Sequence, residues 1–381
     1  MDYDVIIAGG SFAGLMAAAQ LRGRRVLLVE PHGIGAVQTS ACGTLLAVLQ
    51  AVGAEDSLRQ VHESLVLHLP RRTIEYPLPY AFCTFDYRSL CSHLIDLGDA
   101  EVLRAAVLGH QGHIVFTTRG AFDAEILIDA TGWRAALATN RGEQAQTHRG
   151  MNFGLETTLP IRGQGLHFFY EPDRLGMHNL GWLFPVGGVS RAGLGSYHGR
   201  TRFQPSLEDF TTTYFQAGTN GRHGGYFPYR LQTPTTDHVF RVGDAAGQCF
   251  PFTGEGIRPA MVYGAAVGRL ASRVLNGEMR EPQALRAYRE LVKRRRIAYR
   301  FLLAAQRGLP GLPTPWIERI ALAVSRPNWL DVVLRAYWNA SNPHELAEGP
   351  AVPAAGLAQV TRSALWPIAH LEESAADKET R

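Results

Sequence analysis

The sequence predicts an α/β fold: a Rossmann-type dinucleotide-binding domain, a β-sheet substrate domain and a helical C-terminal region. Three observations carry this. Residues 4–30 read as strand, glycine-rich turn, helix and strand; residues 150–235 are β-rich, with many aromatics, Gly and Pro; and from Pro282 onward the chain reads as Arg-rich helix.

Each element has its own warrant. Asp4-Val5-Ile6-Ile7-Ala8 is the short, nearly continuous apolar run expected of a buried parallel strand. Gly9-Gly10-Ser11-Phe12-Ala13-Gly14 is a turn, residues 15–21 are an Ala-, Leu- and Met-rich helix, and Arg25-Val26-Leu27-Leu28-Val29-Glu30 is the second strand of a βαβ unit. Residues 40–53 read as another helix. Residues 64–90 are mixed, with Pro70, Pro77 and Pro79 as breakers. A three-stranded meander is expected over 101–107, 113–118 and 124–129, a short strand at Val239-Phe240-Arg241-Val242, and a helix from near Gly256 past Ala271. Residues 1–64, 88–140 and 236–280 then form the dinucleotide-binding domain. Residues 65–87 and 141–235 form the substrate domain, 281–367 the helical region, and 368–381 a disordered tail. The chain shows no internal repeats.

The chain has 381 residues, 46% hydrophobic and 19% charged, which is globular composition and enough for two domains. A net charge of +4 is too small to argue for nucleic acid. The positive charge is almost all Arg, since Lys293 and Lys378 are the only lysines. Cys42, Cys83, Cys91 and Cys249 form no C-x-x-C pair, so neither a metal site nor a disulfide framework is indicated and a reduced, cytoplasmic protein is expected. Asp2 and Asp4 stand where a basic leader would be, so no secretory leader is expected. No apolar run reaches the roughly 18 residues of a membrane span.

The first motif follows G-x-G-x-x-G imperfectly, with Gly9, Ser11 and Gly14 at the three glycine positions. Gly9 permits the tight turn, Ser11 is small enough for backbone to approach a pyrophosphate, and Gly14 lets helix and strand pack closely. The phosphates would rest on the free N–H groups of the helix start, where Phe12 and Ala13 lie. Glu30, ending the second strand, can accept hydrogen bonds from ribose hydroxyls. The plain alternative is a strand-turn-helix with convenient glycines; the strand before, the helix after and Glu30 in place favour the dinucleotide. This motif does not separate NAD from FAD.

Later segments do. Gly243-Asp244-Ala245-Ala246-Gly247, followed by Pro251-Phe252-Thr253-Gly254-Glu255-Gly256-Ile257, resembles a large FAD-dependent family that includes aromatic hydroxylases, flavin halogenases, lycopene cyclases and geranylgeranyl reductases. The resemblance implies a glutathione-reductase-like FAD-binding domain. It places Gly243 and Asp244 on the ribityl and pyrophosphate part of FAD, and Pro251, Gly254, Glu255, Gly256 and Ile257 against the flavin ring. A helix start beside the ring stabilises negative charge on the reduced flavin. For Asp244 the plain alternative is an N-cap. Ile126-Leu127-Ile128-Asp129-Ala130-Thr131-Gly132-Trp133 resembles the family's middle segment and brings Gly132 to the cofactor; hydroxylases usually carry Asp where this chain has Thr131. Arg88 falls near an Arg that often meets FAD in the family, with a solvated surface Arg as the equal alternative. Cys42-Gly43 falls where several reductases have Cys-Gly near the flavin, and an inert core thiol is at least as good a reading.

Gly181-Trp182-Leu183-Phe184-Pro185, seven residues, then Gly193-Leu194-Gly195 resembles geranylgeranyl reductases most closely, with Leu180 replacing their Tyr. The resemblance makes Trp182, Phe184 and Pro185 walls of a lipid channel. On periodicity alone these would be core aromatics of a strand. His178, His198, His223 and His238 lack metal-ligand spacing and read as structural or exposed.

The expected activity is therefore an FAD-dependent oxidoreductase reducing C=C bonds of an apolar, isoprenoid-like substrate, with NAD(P)H or another donor as reductant. The alternatives are a flavin monooxygenase, disfavoured by Thr131, and a non-redox flavin cyclase. A halogenase would need a lysine by the flavin channel, and none precedes Lys293. The expected partner is a small apolar or lipid substrate. The segment from Lys293 to Trp338 mixes Arg with Leu, Trp and Tyr: it could lie on an anionic membrane as a peripheral contact or cover the substrate chamber, and the ordinary reading is a solvated helix face.

Overall fold

The computed structural model describes residues 1–137, 150–198 and 203–348. The tail expected at 368–381 lies outside the described residues.

The first strand, Tyr3–Ala8, is the centre of a parallel sheet. It pairs with Val26–Val29 on one side, in the register Val5↔Val26 to Ala8↔Val29, and with Gly120–Asp129 on the other, where Ala8 meets Asp129. Val239–Arg241 extends the sheet beside Gly120–Asp129, and Glu101–Leu103 beside Val26–Val29, both parallel. Successive side chains of the first strand go to opposite faces. Val5 and Ile7 enter a large core with the helices Phe12–Ala19, Tyr87–Asp96 and Ile257–Leu275; Ile6 and Ala8 enter a second core with Val115 and Leu127. Helix Phe12–Ala19 is buried all round, which is why its sequence is apolar on every face.

Two expectations change here. Glu101–Leu103 does not join the meander, which consists of Val107–Gln111, Ile114–Thr117 and Gly120–Asp129. Residues 40–53 are not one helix: Gly43–Leu45 is a strand and only Leu46–Val52 is helical. Leu45 takes extended backbone at the helix start, and the three strand residues satisfy their backbone groups on Phe82, Cys83 and Thr84.

The second sheet has the order His223–Pro228, Met151–Leu159, Ser190–Ser196, Asn179–Pro185, Leu166–Phe169, Leu58–Leu69, Arg72–Phe85, Gly43–Leu45. The region read as mixed is a long hairpin of Leu58–Leu69 and Arg72–Phe85. Pro77 is tolerated inside it because the ladder shifts register between His62 and Ser64, opposite that stretch.

One face of this sheet, with Leu155, Leu183 and Leu194, packs on helix Gln204–Phe215. Alternation sends Glu156, Trp182, Phe184 and Arg191 to the other face, toward the cofactor domain. The far end of the hairpin, at Leu69, Ile74 and Tyr76, is covered by Ile317, Ala321 and Leu330 of the C-terminal helices Thr314–Val324 and Pro327–Ala340.

Candidate cofactor and substrate site

The two glycine loops, far apart in sequence, meet. Helices Phe12–Ala19 and Ile257–Leu275 pack backbone to backbone through small residues. A Cβ on Gly264 would lie 2.3 Å from the Ala13 carbonyl oxygen, and one on Gly268 2.5 Å from that of Ala17. A Cβ on Gly243 would come 3.1 Å from the Ala13 Cβ.

The first loop is a cradle closed to side chains. Gly9 has φ +104° and its Cβ would strike the Ala130 carbonyl oxygen at 2.2 Å; that of Gly14 would strike the Gly9 oxygen at 2.0 Å. Ser11 is the residue before the helix, but its hydroxyl lies 3.2 Å from the Tyr87 hydroxyl and does not cap it, so the first N–H groups are free for an anion. The Glu30 carboxylate accepts from the Gly10 and His32 N–H groups at 2.9 and 3.1 Å. Phe12 is a core residue, edge-to-face with Phe85 and Tyr87. It can offer a cofactor only its backbone, as can Ala13.

In the second loop Gly243 (φ +65°) opens a short 3₁₀ turn that presents Asp244. The Asp244 side chain has no hydrogen-bond partner among the described residues, and burial pushes its pKa up to about 7. A carboxyl short of donors is what the hydroxyls of a ribityl chain would satisfy. Pro251 is buried, and Phe252 is held at φ +66° by its N–H to Gln306 Oε1 (2.8 Å) and by Tyr197, whose hydroxyl donates to its carbonyl (2.7 Å). Gly254 (φ +67°) is exposed, and Gly256 precedes helix Ile257–Leu275, whose start has no side-chain cap. Ile257 is buried.

The Glu255 side chain is committed within the protein: it receives Arg258 Nε and Nη2 at 2.9 and 2.7 Å, and the Tyr337 hydroxyl. A buried carboxylate takes the strongest available cation, so only the Glu255 backbone is left for a cofactor. Arg88 is exposed on helix Tyr87–Asp96, with its backbone against Gly35 of the loop that follows Glu30. Gly132 (φ +69°) starts a 3₁₀ turn with open space where a Cβ would be. Cys42 is fully buried, and burial raises its thiol to about 12, which leaves it inert at neutral pH.

Across the cleft, the Trp182 ring lies over three glycines of neighbouring strands. A Cβ on Gly193 would be 2.1 Å from its Cζ2, and those on Gly195 and Gly154 would be 3.4 and 3.5 Å from the ring. The G-x-G after the aromatic segment is thus the bed of the indole. Phe184 packs edge-to-face on Phe168; a Cβ on Gly43 would lie 3.4 Å from its ring, and one on Gly254 would lie 3.6 Å from the Phe227 ring. The Pro185 carbonyl accepts from Thr84 Oγ1 (2.7 Å) and lies 3.1 Å from His62 Nε2, so this residue is pinned by its backbone.

Burial lowers the pKa of His62 to about 4. The unfolded chain therefore binds a proton that the native state refuses, between about pH 6.5 and 4, and stability falls as pH drops through that window. Replacing His62→Gln is expected to flatten the dependence of Tm on pH between 6.5 and 4.

Sequence reasoning did not find the ionisable cluster on this face. Glu156 is buried and accepts from Trp182 Nε1 at 2.8 Å. Its Oε1 lies 2.8 Å from His223 Nε2 and 4.0 Å from Arg191 Nε. His223, read as structural or exposed, is half-buried and also lies 3.1 Å from Gln38 Nε2. The only signal was a lone Glu in an apolar strand. Among the described residues no group of side chains forms a metal site.

Residues 4–172 match the family model of an FAD binding domain. Two digeranylgeranylglycerophospholipid reductases are similar in sequence. That of Methanocaldococcus jannaschii is 26% identical over 38% of this chain and 39% of its own length, so the match spans well under half of that relative. That of Methanoculleus marisnigri is 25% identical over 75% of this chain and 81% of its own. A geranylgeranyl bacteriochlorophyll reductase-like structure from Thermoplasma acidophilum shares the fold, with TM-score 0.76 and 20% identity over 91% of this chain and 98% of that one. The loops fit FAD: a cradle that any Cβ would fill, two uncapped helix starts and a donor-poor Asp244. Residues 4–172 form an FAD-binding domain, and the chain has the fold of flavin-dependent reductases. In sequence it is similar to digeranylgeranylglycerophospholipid reductases, and in fold to the geranylgeranyl bacteriochlorophyll reductase-like structure.

Proposed function

We propose that this protein reduces C=C bonds of an apolar, isoprenoid-like chain, such as those of the lipids named by its relatives. The observation that supports the reading is the aromatic wall of Trp182, Phe184 and Phe168 on one face of the second sheet, with Phe184 beside Gly43 and Phe227 of the same sheet beside Gly254. Trp182 is held by its glycine bed and by Glu156, so it can align an alkene chain and exclude water without losing conformational freedom.

FAD, reduced by NAD(P)H or another donor, supplies hydride when bound. The chain's residues do the rest. Glu30 and Asp244 fix the cofactor's hydroxyls, the helix starts at Ser11 and Gly256 favour its negative charge, and the aromatic wall orients the substrate. Reduction of an alkene also consumes one proton per hydride. His223, held beside the buried Glu156, is the ionisable group of this face in a position to supply it. Thr131 offers no hydroxylase-type Asp; its hydroxyl and N–H serve the buried Asp129.

The test is anaerobic. The yellow protein is reduced and mixed with polyprenyl or polyene lipids. Flavin absorbance is expected to return without oxygen, with two hydrogens gained per double bond in the product. Failure with every unsaturated lipid, or oxygen-dependent hydroxylated product, would overturn the reading. The His223→Gln variant is expected to keep its colour and to slow reoxidation on the order of 100-fold.

A further inference from the structure

We infer that the C-terminal helices form a peripheral docking face for an anionic lipid surface. No described helix is long and apolar enough to cross a membrane, so the contact lies on the bilayer.

Large apolar side chains are exposed here in helical register. Ile297 and Phe301, on helix Glu281–Gly308, are 79% and 73% exposed; Trp316 and Ile320 follow at the same spacing on Thr314–Val324, and Trp329 and Val333 on Pro327–Ala340. Residues four apart share a helix face, and the last helix packs against both others. These helices already bury a different apolar side, with Ile317, Ala321 and Leu330 on the β-hairpin. The exposed stripes are therefore additional to what folding uses, and apolar stripes with two tryptophans are costly to leave in water.

The charge around them selects the occupant. Arg300, Arg307, Arg319 and Arg326 are exposed and make no ion pair among the described residues. The neighbouring acids are spent, Glu318 buried against Arg72 and Asp331 on Arg335. Arg319 lies over the Trp316 ring at 5.1 Å. Aromatic and aliphatic side chains interleaved with unpaired guanidinium groups match an interface of acyl chains below and anionic headgroups above. A protein partner would ask for fewer bare arginines. A second copy of the chain would set these like charges against each other.

The experiment uses the full-length flavin-loaded protein and sedimentation with vesicles of phosphatidylcholine, with and without 30–40% (about one lipid in three) phosphatidylglycerol. The protein is expected to bind the anionic vesicles at least about tenfold better, to lose this in high salt and to show tryptophan quenching by bromolipid. The triple variant Phe301→Ser, Trp316→Ser, Trp329→Ser is expected to lose most of the binding while keeping its FAD content, since these side chains are exposed. The quadruple Arg→Gln variant at 300, 307, 319 and 326 is expected to lose the preference for anionic lipid. No vesicle binding, equal binding by the triple variant, or a wild-type dimer that the triple variant abolishes would overturn the inference. Because the readout is binding to vesicles and not turnover, it fails or holds independently of the proposed reaction.

Discussion

Gly14→Ala is expected to give a colourless protein that takes up no FAD. The new Cβ would lie 2.0 Å from the Gly9 carbonyl oxygen and 3.2 Å from its carbon. Neither atom can yield, because Gly9 is itself wedged against Ala130. The helix Phe12–Ala19 would have to lift off the strand before it. That motion separates the free N–H groups from the turn and loosens the packing of Ala13 and Ala17 against Gly264 and Gly268, so both loops move together. Overpacking of this kind costs about 1–3 kcal/mol in stability, but the larger effect is on the cofactor, whose site needs the close approach. Flavin absorbance of the purified protein and thermal melting check it together. Gly308→Ala, where a Cβ meets nothing within 4 Å, is the control and is expected to stay yellow.

The second large effect is expected from Arg258→Met. Arg258 is completely buried and serves two regions at once. Its Nε and Nη2 bind the Glu255 carboxylate of the flavin-side loop, and Nη1 donates to the carbonyls of Tyr337, Trp338 and Ser341 at the end of helix Pro327–Ala340. Methionine of similar length would leave the buried Glu255 without its cation, and the Tyr337, Trp338 and Ser341 carbonyls without the guanidinium, though Trp338 keeps the Ser341 N–H. Removing one partner of such a pair costs about 3–5 kcal/mol, a fall in Tm on the order of 5–10 °C. The loop that presents Gly254 and Gly256 would lose its anchor, so FAD affinity is expected to fall with stability. Denaturant melts and a flavin titration measure the two; the double variant Arg258→Met, Glu255→Leu is expected to recover part of the stability, because it removes the stranded charge.

What could be read beforehand divides along sequence distance. The strand-turn-helix-strand of residues 4–30 is local, and each residue's role follows from its neighbours, so Gly9, Gly14 and Glu30 stand in the structure where the spacing puts them. The roles of the Asp244 to Gly256 segment came from its resemblance to a family and not from its neighbours; the structure shows a glycine-opened turn at Gly243 and an uncapped helix start after Gly256. Prolines misled: Pro77 and Pro79 suggested breaks, but a register shift that bulges their own strand accommodates them in a continuous hairpin. The partner of the Glu255 side chain, Arg258, was not legible because it lies three residues on, at the start of a helix whose inner face no motif marks. The pairing of Glu156 with His223 arises only from the register of two antiparallel strands, which no local pattern specifies. Gly193 and Gly195 were recognised by spacing, but their physical purpose as the bed of Trp182 required the fold.

The central claim is that both loops grip a single FAD, and a crystal structure of the protein with FAD bound tests it most directly. One FAD per chain is expected, with its adenosine ribose at Glu30, its ribityl hydroxyls at Asp244 and its ring between the Gly254–Gly256 backbone and the aromatic wall of Trp182. An FAD bound elsewhere, or one that touches the Gly9–Gly14 turn without reaching Asp244, would contradict it.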